Sequence, residues 1–372
     1  MQEPTRTPQA RRPTIGALPF ARRQAGLTLI EFMVSIVIGM IMIAALATLI
    51  ANQSSNRAEI DKSGKMIENG RYAIQTMTTD LQMAGYWGEL TSAQSIPASL
   101  PDPCSNVIAD LQSAMALHVQ GYNSPVTLSA SLQVCVKNQL PGTDVLVVRR
   151  VDPDTSDIET AGVADWAKVA AHAGQVYLQT GMDSSGVQFS SVLAAATTDA
   201  TADHTTFLLT KKDKVTAASP RKFIVHIYYV SKCSVEVAGS CTSADGGTPI
   251  PTLKRVELGT SANNPAFSTI TIAEGIENLQ VDYGLDSDND GTPNGSDVDG
   301  SSFAVADWPN VMTVNIHLLA RGLEKSSNYT DTKLYALGTA GAASAAVADQ
   351  GYKRHAFVQS VRLVNPSGRR SL

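Results

Sequence analysis

The sequence predicts an α+β protein in which one long N-terminal helix, part transmembrane and part amphipathic, packs on an antiparallel β-sheet with large insertions. Three observations point there. The run from Leu27 to Ala51 holds 25 residues with a single charged side chain. Helical periodicity then continues without a proline as far as residue 84. From about residue 90 onward, short apolar segments bounded by Gly, Pro, Asn and Asp replace it.

As a helix, Leu27 to Ala51 spans about 37 Å at about 1.5 Å per residue, enough to cross a hydrocarbon core of about 30 Å. It exceeds the roughly 7–15-residue apolar region of a secretory signal. Arg6, Arg11, Arg12, Arg22 and Arg23 precede it and no arginine lies within it, which sets the N-terminal side in the cytoplasm. The remainder of the chain is then expected outside the inner membrane. Glu31 is the anomaly, because a carboxylate in a membrane helix is costly without a partner. If the chain were cut after Gly26, the new amine on Leu27 would lie one helical turn away on the same face. Glu31 would then pair within its own chain or with the amine of a neighbour alongside.

Beyond Ala51 the composition turns polar while the period persists. Ile60, Ile67, Ile74 and Leu81 recur every seven residues, with Met77 and Ala84 at the intervening spacing, and predict an apolar stripe laid on the protein's own sheet. Gly85-Tyr86-Trp87-Gly88 supplies the stop. The chain thus divides into a basic leader (1–26), a transmembrane half-helix (27–51), an amphipathic half-helix (52–88) and a β-rich domain (89–372).

In that domain, 144–148, 223–230 and 311–319 read as strands, with Val314, Ile316 and Leu318 on one face. Phe357, Val361 and Leu363 predict a final strand. The Ala/Thr/Ser-rich stretches near 190–206 and 336–348 read as exposed loops, and no fixed-period repeat is evident. Cys104, Cys135, Cys233 and Cys241 lack C-x-x-C spacing, so a zinc or thioredoxin-like site is not indicated. Export makes disulfides the natural reading. Cys233 and Cys241 bracket a short segment suited to a small loop, leaving Cys104 for Cys135. The alternative is four free thiols in a cytosolic fold.

One constellation looks metal-like. Asp286, Asp288 and Asp290 at positions 1, 3 and 5, Gly291 at 6, the Thr292 carbonyl at 7, Asn294 at 9 and Asp297 at 12 match the ligand order of a calcium loop. Asp297 is shorter than the usual Glu, Pro293 occupies position 8, and the segment before the loop reads as a strand. An Asp/Asn/Gly-rich turn between strands needs no ion. Calcium that rigidifies the loop is the expectation, because these carboxylates repel one another unless neutralised or spread into solvent.

The net charge of −5 leaves no domain-wide basic surface for phosphates, which argues against a nucleic-acid partner. Neither H-E-x-x-H, G-x-S-x-G nor G-x-x-x-x-G-K-[ST] occurs, and His226 and His317 fall in strand patterns as sheet residues. The chain therefore reads as a non-enzyme.

Arg22-Arg23-Gln24-Ala25-Gly26 followed by Leu27-Thr28-Leu29-Ile30-Glu31 resembles the type IV prepilin signature. The stretch from Glu68-Asn69-Gly70-Arg71-Tyr72-Ala73 through Asp80 to Tyr86 is similar to PilW-type minor pilins. So are the Val281-to-Asp286 entry to the acidic loop and its Asp307-Trp308-Pro309 exit. The resemblance implies that a prepilin peptidase cuts after Gly26 and methylates Leu27, and that Glu31 guides docking. It implies partnership with other minor pilins and the major pilin through the N-terminal helix. It places the protein in the bacterial inner membrane before assembly and in the pilus or at the cell surface afterwards. Leu27 stands where the family often has Phe, and Glu89 where it commonly has Cys. Two other roles fit the same residues: a minor pseudopilin of type II secretion, and a tip adhesin or ligand-binding module.

Overall fold

The computed structural model describes residues 26, 28–90, 94–183, 185, 188–241, 245–344 and 349–370. The chain divides into two units, Met1–Ala58 and Glu59–Leu372. Helix α1 (Leu29–Gln82) contributes to both. In the first unit its apolar side chains, Phe32, Ile36, Ile41 and Leu46 among them, are exposed. The helix is long and apolar enough to cross a membrane.

In the second unit α1 buries Met66, Gly70, Ala73, Met77, Asp80 and Leu81. These recur every three or four residues, the spacing of one helix face. The seven-residue stripe expected from sequence is only partly used. Leu81 is fully buried and Ile74 partly, but Ile67 is 41% and Ile60 69% exposed. A strict heptad line drifts by about 20° per heptad on a straight helix. Three heptads therefore turn Ile60 about 60° away from Leu81. Gly70 lets the helix backbone sit against the sheet, since a Cβ there would meet the Phe357 ring at 2.2 Å. The helix stops where expected, with Gly85 (φ 69°) and Gly88 (φ 67°) in the left-handed region that favours glycine.

After a short helix (Ile108–Ser113), the strands begin with β1 (Val119–Tyr122) and β2 (Val145–Val151), followed by a short hairpin of β3 (Glu159–Thr160) and β4 (Val163–Ala164). Then come β5 (Val176–Met182), β6 (Phe189–Ala195), β7 (Arg221–Ser231), β8 (Thr252–Ser261) and β9 (Asn264–Glu274). All but the short hairpin form one antiparallel sheet, ordered β1-β2-β7-β5-β6, with β8 also on β7 and β9 on β8. Strand alternation gives this sheet two cores. Phe223, Val225, Ile227 and Tyr229 face one, with Trp87, Val145, Val147 and both Cys104 and Cys135. Tyr228 and Val230 face the other, with Leu146, Val148 and the α1 residues Met77 and Leu81.

A second antiparallel sheet closes that latter core. It comprises β10 (Ile276–Leu285) and β11 (Val311–Arg321), then, past a hairpin of β12 (Leu334–Ala336) and β13 (Ala342–Ser344), β14 (Arg354–Arg362), in the order β10-β11-β14. Val314, Ile316 and Leu318 are buried on its inner face. Asp144 joins the sheets: its N–H donates to Leu279 O at 2.9 Å, and its Oδ2 accepts from Val281 N at 2.7 Å.

Two expectations need correction. The stretch 190–206 is not loop: it carries most of β6, whose Leu193 is buried, and the helix Ala200–Thr206, capped by Asp199 accepting from Thr201 N at 2.8 Å. Its small residues lack the apolar contrast that marks a strand or helix in sequence. The stretch 336–348 carries the end of β12 and all of β13, and residues 345–348 lie outside the described residues.

Candidate functional site

The start of α1 is a built helix cap. Thr28, just before the first helical residue, donates through N (2.9 Å) and Oγ1 (2.8 Å) to Glu31 Oε2, and its Oγ1 accepts from Glu31 N at 3.4 Å. This is a reciprocal Thr-x-x-Glu capping box. The carboxylate also sits at the positive end of the helix dipole. The Glu31 carboxylate is thus held by Thr28, the residue that follows Leu27 in sequence. Gly26 is exposed in irregular backbone. Leu27 and residues 1–25, including the basic leader, lie outside the described residues.

At the other end of α1 a polar anchor interrupts the buried stripe. Asp80 is 4% exposed. Its Oδ1 accepts from Arg150 Nε at 2.7 Å, and its Oδ2 lies 2.7 Å from His226 Nδ1 and accepts from Tyr228 Oη at 3.0 Å. His226 Nε2 lies 3.8 Å from Glu257 Oε1. Burial resists ionisation of Asp80, but His226 and then Arg150 outweigh it and hold the carboxyl at about 2. His226 is a sheet residue, as its pattern suggested, with a carboxylate on each side. His317, also in a strand, places Nε2 3.1 Å from Asp282 Oδ2.

The acidic loop follows β10. Asp286, Asp288 and Asp290 bring one carboxylate oxygen each within 4.8 Å of one another. Asn294 Nδ2 donates to Asp288 Oδ2 at 3.2 Å, and Thr292 N donates to Asp290 Oδ1 at 2.7 Å. Asp297 is not part of this cluster; its Oδ1 lies over the backbone of Gly284. Asp286 is buried and already partnered. Its Oδ1 accepts from Asn289 N at 2.7 Å, and its Oδ2 from Gly291 N and Arg370 Nη1, both at 3.0 Å. Burial raises its carboxyl, but Arg370 and these two N–H groups prevail and lower it. Arg370 belongs to the closing helix Val364–Arg370, and no pattern near the loop pointed to it.

Cys104 is bonded to Cys135 and Cys233 to Cys241. The first bridge lies in the core beside Trp87, and the second closes the loop after β7. Asp80 was also silent as a site in sequence. Its one signal was a carboxylate in register with the buried residues Ala73 and Met77.

Residues 227–365 match the family described as type IV pilus-assembly protein W. Residues 21–47 match the prokaryotic N-terminal methylation motif. No curated protein matches the chain. A type IV-like pilin from Thermus thermophilus aligns at 12% identity over 54% of this chain and 92% of its own, with a TM-score of 0.22. That likeness is too slight to carry any detail.

Proposed function

We propose that this chain, a type IV pilus minor pilin of the assembly protein W type, is a structural subunit of a tip or priming complex and catalyses no reaction. The observation that carries this is the match of residues 21–47 to the methylation motif, joined to an exposed apolar helix whose first turn is capped by Glu31. Prepilin peptidase would cut after Gly26 and methylate Leu27. The helix would hold the subunit in the inner membrane, with residues 89–372 outside the cytoplasm, until it enters the filament. Its partners there are other minor pilins and the major pilin, met through α1. Glu31 Oε2, now held by Thr28, would exchange that partner for the amine of Leu27 or of a neighbouring subunit. The test is piliation of a strain carrying Glu31→Gln or Gly26→Val. Loss of surface pili with the precursor still in the membrane supports the proposal. Full piliation with either variant contradicts it, as does restoration of type II secretion rather than piliation by the wild-type gene. Unchanged pilus number with lost adhesion would favour the adhesin instead.

We also propose that the acidic loop takes Ca2+. The carboxylates of Asp288 and Asp290, with Asp286 behind them, suit a hard cation. Asn294 is not a ligand in this arrangement, because it turns its Nδ2 to Asp288 and accepts through Oδ1 from Ser287 N at 2.7 Å. The fit is partial, because the Arg370 guanidinium already supplies positive charge to Asp286. Calcium should raise the melting temperature of the wild type, and Asp288→Ala with Asp290→Ala should abolish that rise. A shift near zero in the wild type sinks the proposal.

A further inference from the structure

Arg150 is oriented by Asp80 in a way that leaves the end of its guanidinium underused. Nε donates to Asp80 Oδ1 at 2.7 Å, while Nη1 reaches only Val151 O, at 3.5 Å. Among the described residues no hydrogen bond takes up Nη2. Asp80 has its own oxygens filled by Arg150, His226 and Tyr228. The neighbouring Arg255 is spent on Glu257 and, through Nη1 at 3.2 Å, on Tyr228 Oη. Arg150 and Arg255 line a hollow of about 370 Å³, whose other wall is Tyr72, Gln75, Thr76 and Thr79 of α1. Volumes of this size are typical of small-molecule sites.

The chemistry narrows the ligand. A guanidinium fixed through Nε presents its two terminal nitrogens as a planar fork, the geometry that pairs with two oxygens at once. Asp80 and Glu257 balance Arg150 and Arg255, so these four groups leave little net charge beside the hollow. A dianion would meet two carboxylates nearby, whereas a monoanion suits the fork alone. We propose that this hollow binds a small monocarboxylate, its oxygens on the terminal N–H groups of Arg150 and its body against Tyr72, Gln75 and Thr76.

The full chain in detergent micelles would be titrated calorimetrically with N-acetylglycine, its neutral amide and inorganic phosphate. Saturable binding of N-acetylglycine is expected, with none of the amide and weaker binding of phosphate. Arg150→Lys keeps the charge but loses the fork, and should weaken binding by at least about tenfold. Thr76→Glu sets a competing carboxylate at the rim of the hollow and should do the same, while Thr76→Gln should not. The Thr76 pair decides the matter if Arg150→Lys does not fold. Absent binding, equal binding of the neutral amide, tighter binding of phosphate, or an affinity indifferent to both Arg150→Lys and Thr76→Glu would each overturn the proposal.

Discussion

Asp80→Asn should destabilise the domain strongly, and in a pH-dependent way. The carboxylate is buried against Arg150 and His226, whose side chains are only 14% and 10% exposed. Its folded pKa of about 2 lies below the ordinary 3.8, which by linkage amounts to about 2 kcal/mol of stability. Because the folded value is depressed, that stability is present above about pH 4 and is lost as pH falls towards 2. Asparagine keeps the shape but leaves Arg150 without its counter-charge, and breaking a buried pair costs about 3–5 kcal/mol. The residual exposure of Arg150 places the expected loss near the lower end, about 3 kcal/mol. Denaturant unfolding of wild type and variant should show this gap at pH 7 and its narrowing between pH 4 and 2. A gap below about 0.5 kcal/mol at pH 7, or one of constant size down to pH 2, would refute the assignment of Asp80 as an ionised anchor.

Gly70→Ala should destabilise despite better helix propensity, by about 1–3 kcal/mol, because the added Cβ meets the Phe357 ring. Adding Phe357→Ala should recover part of that loss, and strict additivity of the two would count against the contact. Replacing Cys104 and Cys135 by Ser should cost about 3–4 kcal/mol and the Cys233 and Cys241 pair about 2–3, because the loops span 31 and 8 residues. Equal losses by chemical denaturation would contradict that ordering. Burial pushes the Asp144 carboxyl up to about 6, so its contribution is greatest at low pH and falls as pH rises through 4 to 6. Asp144→Asn should therefore cost less at pH 8 than at pH 4, and the reverse ordering would refute the shift.

Much of the architecture was legible because it rests on long periodic signals. The apolar run, the proline-free continuation of α1 and the alternation of Val314, Ile316 and Leu318 all survive in the fold. The helix face was misjudged for a geometric reason, since a heptad count cannot follow a straight helix over three repeats. The strand and helix within 190–206 were missed because Ala, Ser and Thr supply little contrast between faces. The acidic loop was visible as a string of oxygens, but Arg370 lies 84 residues from Asp286 and no local pattern joins them. The Asp80 anchor was hidden for the same reason. Its partners Arg150 and His226 lie on different strands, 70 and 146 residues away.

Whether this chain is processed as a prepilin is read from intact-mass analysis and N-terminal peptide sequencing of membrane-derived protein. A mature chain that begins at Leu27 with one added methyl on its amine is the predicted result. A chain that still carries Arg22 and Arg23 in cells with active prepilin peptidase would contradict that processing, and would reduce the role of Glu31 to the helix cap it forms with Thr28.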